Sequence, residues 1–259
     1  MSILIPTCDH IRDLETCVES IYARTTYPDF EIILIENNSK APETFRTYKR
    51  MQKEHPDNLK VVTWEGKGFN YSALNNFGEK FATGEYLLLL NNDTEVITAA
   101  WLEEMVMYAQ QKRVGCVGAK LLYPDDTIQH AGVGFGIGGV AGHLHKYYPA
   151  SSDGYMGRLN YVQDVYADTA AACSSARRST TKWAVWTRAM PWPSTMWTSA
   201  SASVRQATPT YSLRLPSSTT TRARAAAWRT TPKSRSVFRA RCCVFRPAGA
   251  ICWLRATLH

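Results

Sequence analysis

Short apolar runs alternate with stretches of helical periodicity over the first two-thirds of the chain. The runs are apolar on both alternating faces, as in strands buried on both sides. The predicted strands cover residues 2–6, 30–35, 59–63, 86–90 and 114–118, and the predicted helices include residues 14–22, 42–55, 74–81 and 101–108. This order predicts an α/β fold, with a mainly parallel sheet flanked by helices.

Two polar residues stand where helix N-caps are expected. Asp9 precedes the stripe that begins at Leu14, and Thr98 precedes the stripe that begins at Trp101. Short side chains with an oxygen satisfy the free amides of a first helical turn. We therefore expect Asp9 and Thr98 to cap these two helices.

The charges divide the chain into two parts. All 22 acidic residues lie at or before Asp168, whereas residues 174–259 hold 15 of the 30 Lys and Arg residues and no acid. The net charge of +8 therefore averages an acidic segment and a basic tail. We expect a globular domain over residues 1–173 and a separate tail over residues 174–259.

Composition excludes several classes of protein. No run approaches the about 18 apolar residues of a membrane span, and the opening residues lack the basic start of a signal peptide. A cytoplasmic location is the expectation. The seven cysteines form no C-x-x-C pair, which favours free, mostly buried thiols over a zinc site or a disulfide framework.

Polar clusters follow three of the predicted strands. In parallel sheets ligands bind beyond the carboxyl ends of the strands. The clusters are Pro6-Thr7-Cys8-Asp9, Glu36-Asn37-Asn38-Ser39 and Asn91-Asn92-Asp93-Thr94. We expect them to meet at one edge of the sheet and to form a binding site there.

These clusters, in this order, resemble the family 2 glycosyltransferases, which have the nucleotide-binding GT-A fold. The resemblance covers roughly residues 2–173 and is closest to bacterial O-antigen and rhamnosyltransferase-like members. The motifs that carry it are Pro6-Thr7, Glu36-Asn37-Asn38-Ser39, the stretch from Phe69 to Asn76, Asn76-Phe77-Gly78, the stretch from Ala82 to Tyr86, Asn91-Asn92-Asp93 and the stretch from Ile128 to Gly132.

The resemblance implies transfer of a sugar from a nucleotide-sugar donor to a glycan or lipid-linked acceptor. Asp93 is then the ligand of Mg²⁺ or Mn²⁺, which bridges the donor's diphosphate. Asn91 and Asn92 replace the acids common in the family and add no charge. Metal binding is then expected to be weaker or to depend more on the substrate phosphates. The alternative for Asp93 is a turn residue.

The same resemblance implies a nucleotide-binding set. Glu36 suits a base N–H, although it could also be a turn residue or a helix cap. The residues assigned to the nucleotide are Pro6, Thr7, Asp9, Glu36, Asn70, Asn76 and Asn92. Lys67 could supply a cation near Asn70, or be a solvated loop residue.

Two other patterns point less clearly to a ligand. The glycines from Gly132 to Gly139 resemble a phosphate loop, but no P-loop Lys-Ser/Thr follows. We interpret them as an acceptor-side loop or strand-turn. His143 and His145 form an H-x-H pair without a nearby carboxylate or Cys at ligand spacing, which favours loop histidines over a metal site.

The tail has the composition of a wrong reading frame. It is rich in Arg, Ala, Ser, Thr and Pro and contains six of the eight tryptophans. Under a one-base shift, the codons between Ser194 and Thr198 accommodate Phe-Asn-Asp-Val-Asp, and those between Ser218 and Arg222 accommodate Tyr-His-His-Glu. Both segments are expected in the family, in this order. The hypothesis is a frame change between about residues 170 and 182, followed by a poorly structured tail.

A frame change would remove the general base. In inverting members of the family an Asp or Glu deprotonates the acceptor hydroxyl. The stretch from Ser194 to Thr198, where the resemblance places that acid, has no carboxylate. We therefore assign no catalytic residue and expect the chain as written to be impaired.

A competing interpretation uses the basic tail. Arg among aromatic residues can track phosphates and stack on bases, so the alternative is a protein that binds nucleic acid or an anionic surface. The tail lacks the spacing of a binding motif, and we expect no specific nucleic acid partner. Lipid-linked acceptors make peripheral association with the inner face of the membrane compatible with the resemblance.

Overall fold

The structure is a computed structural model that describes residues 1–112, 114–137, 141–165 and 167–177, and the backbone of four strands beyond them. The strands are β1 (Ser2–Thr7), β2 (Glu31–Glu36), β3 (Leu59–Thr63), β4 (Tyr86–Leu90), β5 (Val117–Gly118), β6 (Leu121–Leu122), β7 (Ile128–His130), β8 (Val133–Phe135), β9 (Ala141–His143), β10 (Ala172–Ala176), β11 (Ala202–Gln206), β12 (Ser212–Leu213), β13 (Val237–Arg239) and β14 (Cys243–Pro247). The helices are α1 (Ile11–Arg24), α2 (Pro42–Glu54), α3 (Tyr71–Gly78) and α4 (Trp101–Ala109), with 3-10 segments at Glu79–Phe81 and Tyr155–Asn160.

The main sheet has the strand order β11-β14-β5-β10-β4-β1-β2-β3. Strands β3, β2, β1 and β4 are mutually parallel. Strand β10 lies between β4 and β5 and is antiparallel to both. The predicted α/β fold with a mainly parallel, helix-flanked sheet is confirmed.

Alternating strand residues supply the cores on the two faces of the sheet. Ile3, Ile32 and Leu88 point into the larger core, which also holds apolar residues of α1, α2 and α4. Leu4 and Ile33, each one position further along its strand, point into the core beneath α3. All five side chains are fully buried. This is why the sequence shows unbroken apolar runs.

Helix α3 approaches the sheet closely at Gly78. A Cβ atom added to Gly78 would lie 2.3 Å from Cδ1 and 2.9 Å from Cγ1 of Ile35. The side chain of Ile35 is fully buried, so it has little room to move. Glycine at this position therefore sets the distance between α3 and β2.

A buried carboxylate ties the amino edge of the sheet together. Glu31 accepts hydrogen bonds from the Ser2 hydroxyl at 2.7 Å and from the amide and hydroxyl of Thr83, both at 2.6 Å. Lys60 Nζ lies 2.8 Å from its other oxygen. Burial alone would raise the pKa of Glu31, but these partners outweigh it and lower the pKa to about 2.

Both predicted helix caps are wrong. The N-cap of α1 is His10, without a side-chain cap, because the carboxylate of Asp9 turns to α2. The N-cap of α4 is Ala100, two positions after Thr98, and it also makes no side-chain cap. The predicted fifth strand over residues 114–118 is also too long, since only Val117 and Gly118 pair with β10.

The regular structure continues past the predicted boundary at residue 173. That boundary falls inside β10, and the next residue after the strand, Arg177, donates its backbone N–H to Glu85 O at 2.8 Å. Residues 178–201 lie outside the described part of the chain. The character of the tail therefore stays a prediction. Among the described residues, no helix has the length and apolarity needed to cross a membrane.

Candidate functional site at the carboxyl edge of the sheet

Three of the predicted clusters meet at the carboxyl edge of the sheet. Thr7 pairs with Glu36 across β1 and β2, and Asn37 N donates to Thr7 O at 2.9 Å. Asn92 follows β4, and its Nδ2 atom lies 3.4 Å from Thr7 Oγ1. Pro6 is half-buried one position earlier in β1, opposite Ile35. The sequence thus predicted correctly which strand ends come together.

Glu36 is held by the turn that follows it. Its side chain is almost fully buried, and Oε1 accepts a short hydrogen bond from Ser39 N. The Ser39 hydroxyl in turn accepts from Asp9 N at 2.9 Å. Asn38, at a φ of 59°, donates its amide to Gly66 O at 3.0 Å. The carboxylate of Glu36 therefore has one oxygen held by Ser39, and the described residues donate no hydrogen bond to the other.

Asp9 caps helix α2 from outside. Oδ1 accepts hydrogen bonds from Ala41 N at 3.1 Å and from the Thr44 hydroxyl at 2.8 Å, and both carboxylate oxygens lie within 3.3 Å of Lys40 N. Burial alone would raise the pKa of Asp9, but these hydrogen bonds outweigh it, and the pKa is lowered. Its carboxylate thus joins the loop after β1 to α2, and its backbone N–H donates to the Ser39 hydroxyl.

Helix α3 places the two predicted asparagines differently. Asn70 is exposed and caps the helix, because its side-chain oxygen accepts from Ala73 N at 2.9 Å. Asn76, further along the same helix, is buried. Tyr71 at the start of α3 donates its hydroxyl to Ala170 O at 2.7 Å. That bond ties the helix to the segment before β10. Lys67 is exposed in the preceding loop.

Asp93 occupies a half-buried position beyond β4. Burial is the main reason that the pKa of Asp93 is raised, and the nearby carboxylate of Asp13 raises it further. Among the described residues no Lys or Arg forms an ion pair with either acid. Asp13 on α1 was missed by the sequence analysis, because only the fold brings α1 beside the end of β4. Two acids with uncompensated charge in a half-buried place suit a cation.

The set of candidate metal ligands is small. Within the described residues there is no group of three or more His, Cys, Asp or Glu side chains arranged to hold a metal ion. Besides the carboxylate of Asp13, the residues before Asp93, Asn91 and Asn92, carry amide oxygens. Oxygen ligands of this kind suit Mg²⁺ or Mn²⁺ rather than zinc.

A row of two histidines and an aspartate lies at the same edge, over β5, and all but the half-buried His143 are fully buried. His130 Nε2 makes a short hydrogen bond with Asp168 Oδ1, and both side chains are fully buried. His130 Nδ1 lies 2.7 Å from His143 Nδ1. Asp168 Oδ1 also accepts from Thr169 N at 2.7 Å. We call His143, His130 and Asp168 the buried relay.

The buried relay depends on a glycine. A Cβ atom on Gly118 would lie 1.1 Å from Asp168 Oδ2. The carboxylate therefore occupies the space that a side chain at position 118 would fill. Burial, followed by the neighbouring His130, lowers the pKa of His143 to about 3. His143 is therefore neutral at pH 7, and a single proton lies between the two facing Nδ1 atoms.

The buried relay was not predicted from the sequence. His143 and His145 were interpreted as loop histidines, and Asp168 was noted only as the last acid. The available signal was His130, inside the motif from Ile128 to Gly132. The glycine-rich stretch contains the hairpin of β8 and β9, which accords with the strand-turn interpretation; residues 138–140 lie outside the described part.

The predicted site of the missing general base cannot be placed. Ser194 and Thr198, with the residues between them, lie outside the described part of the chain. The absence of a carboxylate there is a property of the sequence alone.

Sequence comparisons identify related proteins. The chain matches the profile of Glycosyl transferase family 2 over residues 2–189. It is 47% identical over 178 residues to an uncharacterised protein of Sinorhizobium fredii, covering 69% of this chain and 19% of that protein. It is 48% identical over 143 residues to the O-antigen biosynthesis protein RfbC of Myxococcus xanthus, covering 55% of this chain and 11% of that protein. The chain thus spans only a minor part of the length of these relatives.

Solved structures share the fold. A mannosyltransferase of Pyrobaculum calidifontis, solved with GDP-Man and Mn²⁺, superposes with a TM-score of 0.53 at 16% identity, over 73% of this chain and 48% of that one. GalNAc-T7, solved with UDP, GalNAc and Mn²⁺, superposes with a TM-score of 0.58 at 17% identity, over 72% and 36%. At such identities the likeness establishes the fold alone.

Proposed function

Because the chain belongs to glycosyl transferase family 2, we propose that it derives from an enzyme that transfers a sugar from a nucleotide-sugar donor to a glycan or lipid-linked acceptor. The observation that carries this proposal is the meeting of Thr7, Glu36 and the Asn92-Asp93 pair at one sheet edge. The relative named for O-antigen biosynthesis supports a role in cell-surface polysaccharide synthesis.

The proposed orientation of the donor along this edge runs from β2 to β4. The free oxygen of Glu36, beyond β2, accepts a base N–H of the nucleotide. Thr7 and Asn92, beyond β1 and β4, contact the nucleotide between that end and Asp93. Asp93, with the amide oxygens of Asn91 and Asn92, would hold Mg²⁺ or Mn²⁺, and the ion would supply positive charge against the leaving diphosphate. Mn²⁺ in two structural relatives supports this choice of ion.

The transfer itself needs a general base, and the stretch where the resemblance places one has no acid. The acceptor oxygen bonds to the anomeric carbon as the bond from that carbon to the diphosphate breaks, and the hydroxyl proton passes to a base. Inversion at that carbon is what the family resemblance implies. The stretch between Ser194 and Thr198 offers no carboxylate to take the proton. We therefore propose that this chain binds the donor but turns it over poorly.

The frame hypothesis accounts for that loss. The family profile matches residues 2–189 and therefore ends shortly after the interval of residues 170–182 in which the frame change is proposed. Sequencing the DNA that encodes residues 160–190 tests this directly. A missing or extra base supports the hypothesis, and its absence makes the chain as written the true product.

Donor binding is tested by isothermal titration with UDP-, GDP- and dTDP-sugars, with Mn²⁺ and with EDTA. We expect Mn²⁺-dependent binding of one nucleotide class, which Asp93→Ala abolishes and Glu36→Gln weakens. Asp57→Asn, an exposed acid at the opposite edge of the sheet, is the control. A donor affinity that is the same with Mn²⁺ and with EDTA, and the same in Asp93→Ala as in the parent, would refute the proposed site. Strongly salt-dependent affinity for DNA or RNA without donor binding would favour the basic-tail alternative.

A further inference from the structure

Three exposed tyrosines project from the chain between β9 and β10. Tyr147, Tyr148 and Tyr155 are 61%, 50% and 71% exposed, and we call them the tyrosine platform. Exposing such large rings leaves apolar area in contact with water. A cluster of exposed aromatic rings on one segment is typical of a surface that meets a ligand.

Two of the three tyrosines, Tyr147 and Tyr148, are held by backbone hydrogen bonds and ring contacts. Tyr147 N donates to Ile128 O and Ile128 N donates to Tyr148 O, both at 2.7 Å. The ring of Tyr147 stacks on Tyr123 with centroids 5.4 Å apart and planes 13° apart. The ring of Tyr148 meets His145 edge-on at 5.5 Å. These rings are therefore fixed before any ligand arrives, which lowers the entropic cost of binding.

Unusual backbone angles concentrate in the same region. Tyr147 has a φ of 66°, His145 a φ of 55° and Met156 a φ of 52°. Bulky side chains rarely adopt such angles, and each costs of the order of 1–3 kcal/mol. Strain of this kind persists at ligand clamps. At Tyr147 the stack on Tyr123 and the backbone bond to Ile128 hold the residue in this conformation.

The buried relay ties the platform to the edge where the donor is proposed to bind. His143 at the end of β9 contacts His130, which contacts Asp168 above Gly118 of β5. A Cβ atom on Gly154, the neighbour of Tyr155, would lie 3.2 Å from His145 Nε2. The segments that carry the tyrosines therefore pack together beyond the carboxyl end of β5.

The order of the strands then gives the platform its place. Across the edge, Glu36 follows β2, Thr7 follows β1 and Asp93 follows β4, with β10 and β5 next in the sheet. A donor whose base lies at Glu36 and whose diphosphate lies at Asp93 points its sugar toward β10 and β5. The partner of that sugar must approach from the side on which the tyrosine platform lies.

We propose that Tyr148 and Tyr155 bind a pyranose ring of the acceptor saccharide by stacking against its C–H face. This inference rests on the proposed function and names the acceptor side of the same site. Aromatic rings offer an apolar face to the sugar, and their phenol groups hydrogen-bond to its hydroxyls. The ammonium of Lys146, 5.0 Å from the centroid of Tyr147, is a further donor.

Charge favours a neutral saccharide over an anionic membrane or nucleic acid. Among the residues that the structure describes, the cations of this surface are Lys146 and Arg158, and the acids Asp125, Asp126 and Asp153 lie on the adjoining turns. Anionic surfaces bind through an excess of Lys and Arg. Here the charges of the two signs nearly balance.

The test measures saccharide binding without turnover. Saturation-transfer NMR on the full chain uses methyl pyranosides of glucose, galactose, mannose, rhamnose and N-acetylglucosamine. We expect saturation of at least one glycoside, and Tyr148→Ala and Tyr155→Ala each to weaken it about threefold to tenfold. Phe45→Ala removes a ring that is 43% exposed on α2 and should change nothing.

Conservative variants separate stacking from loss of folding. Tyr155→Phe keeps the ring and should retain most of the binding. Equal melting midpoints of the parent and Tyr155→Ala exclude unfolding as the cause. Binding of none of the glycosides, or equal binding by the double alanine variant, would overturn the proposal. The proposal would also be overturned if the parent bound anionic phospholipid vesicles but no saccharide, and the double alanine variant lost the vesicle binding.

Donor titrations on the same samples keep the two proposals apart. Saccharide binding that depends on the tyrosines, without any donor binding, contradicts the proposed function but leaves the platform. Donor binding that depends on Asp93, without saccharide binding, contradicts the platform alone.

Discussion

Replacing Glu31 with Gln should cost the protein about 2 kcal/mol at pH 7. The carboxylate is almost fully buried and accepts bonds from Ser2, Thr83 and Lys60, which lower its pKa from 4.5 to about 2. That difference corresponds to about 3 kcal/mol at 1.36 kcal/mol per pH unit. The Lys60 ammonium is 44% exposed, so solvent screens part of its share and the expected loss falls to about 2 kcal/mol.

The sign of the pH dependence follows from the lowered pKa. The folded protein holds Glu31 ionised more strongly than the unfolded chain does, so this stabilisation is complete above about pH 4.5. It is lost as the pH falls through about 2, where both states bind the proton. The difference in unfolding free energy between the parent and Glu31→Gln should therefore shrink from pH 5 to pH 2.

Equilibrium urea unfolding, followed by far-ultraviolet circular dichroism at pH 7, 5, 4 and 3, measures that difference. Glu54→Gln is the control, because the side chain of Glu54 is 54% exposed and its ion pair within the described residues, with Arg50, is long at 3.7 Å. It should change stability by less than about 0.5 kcal/mol. A Glu31→Gln effect as small as the control, or one that does not change with pH, would refute the reasoning.

Three further substitutions test the packing around the site by the same unfolding assay. Gly118→Ala should destabilise by about 3–5 kcal/mol, because its Cβ displaces the buried carboxylate of Asp168; a loss below about 1 kcal/mol contradicts this. Gly78→Ala gains up to about 1 kcal/mol of helix propensity but clashes with Ile35, for a net loss of about 1 kcal/mol; a gain means that α3 shifts freely. Asp9→Ala should cost about 0.5–2 kcal/mol through the α2 cap, and Asp9→Asn much less; equal losses would point to charge rather than hydrogen bonding.

The sequence was sufficient to predict the strands and the edge at which their polar ends meet. Period and apolar content depend on neighbouring residues, so β1, β2, β3 and β4 appear in the right places. The helix caps failed because capping depends on the tertiary structure. Asp9 is adjacent in sequence to α1, yet its carboxylate reaches Ala41 and Thr44 at the start of α2. A local rule cannot choose between the two helices.

Contacts between distant segments explain what was missed in the site. Asp13 lies on α1 and Asp93 follows β4, and only the sheet order brings their charges together. His130 and Asp168 are 38 positions apart, and no pattern in the sequence pairs them. Gly118 indicated a strand end, but its role as the seat of a carboxylate requires coordinates. Such long-range pairs are invisible to periodicity.

The position of β10 determines how the chain must assemble. β4 pairs with β1 through residues 87–89, but its other edge stays open until residues 172–176 have been synthesised. Closing so long a loop delays that pairing relative to β1, β2 and β3. During the interval Leu87 and Leu89 belong to an edge strand with free N–H and C=O groups. A nascent chain that stalls before residue 172 therefore presents a template on which a second chain can pair.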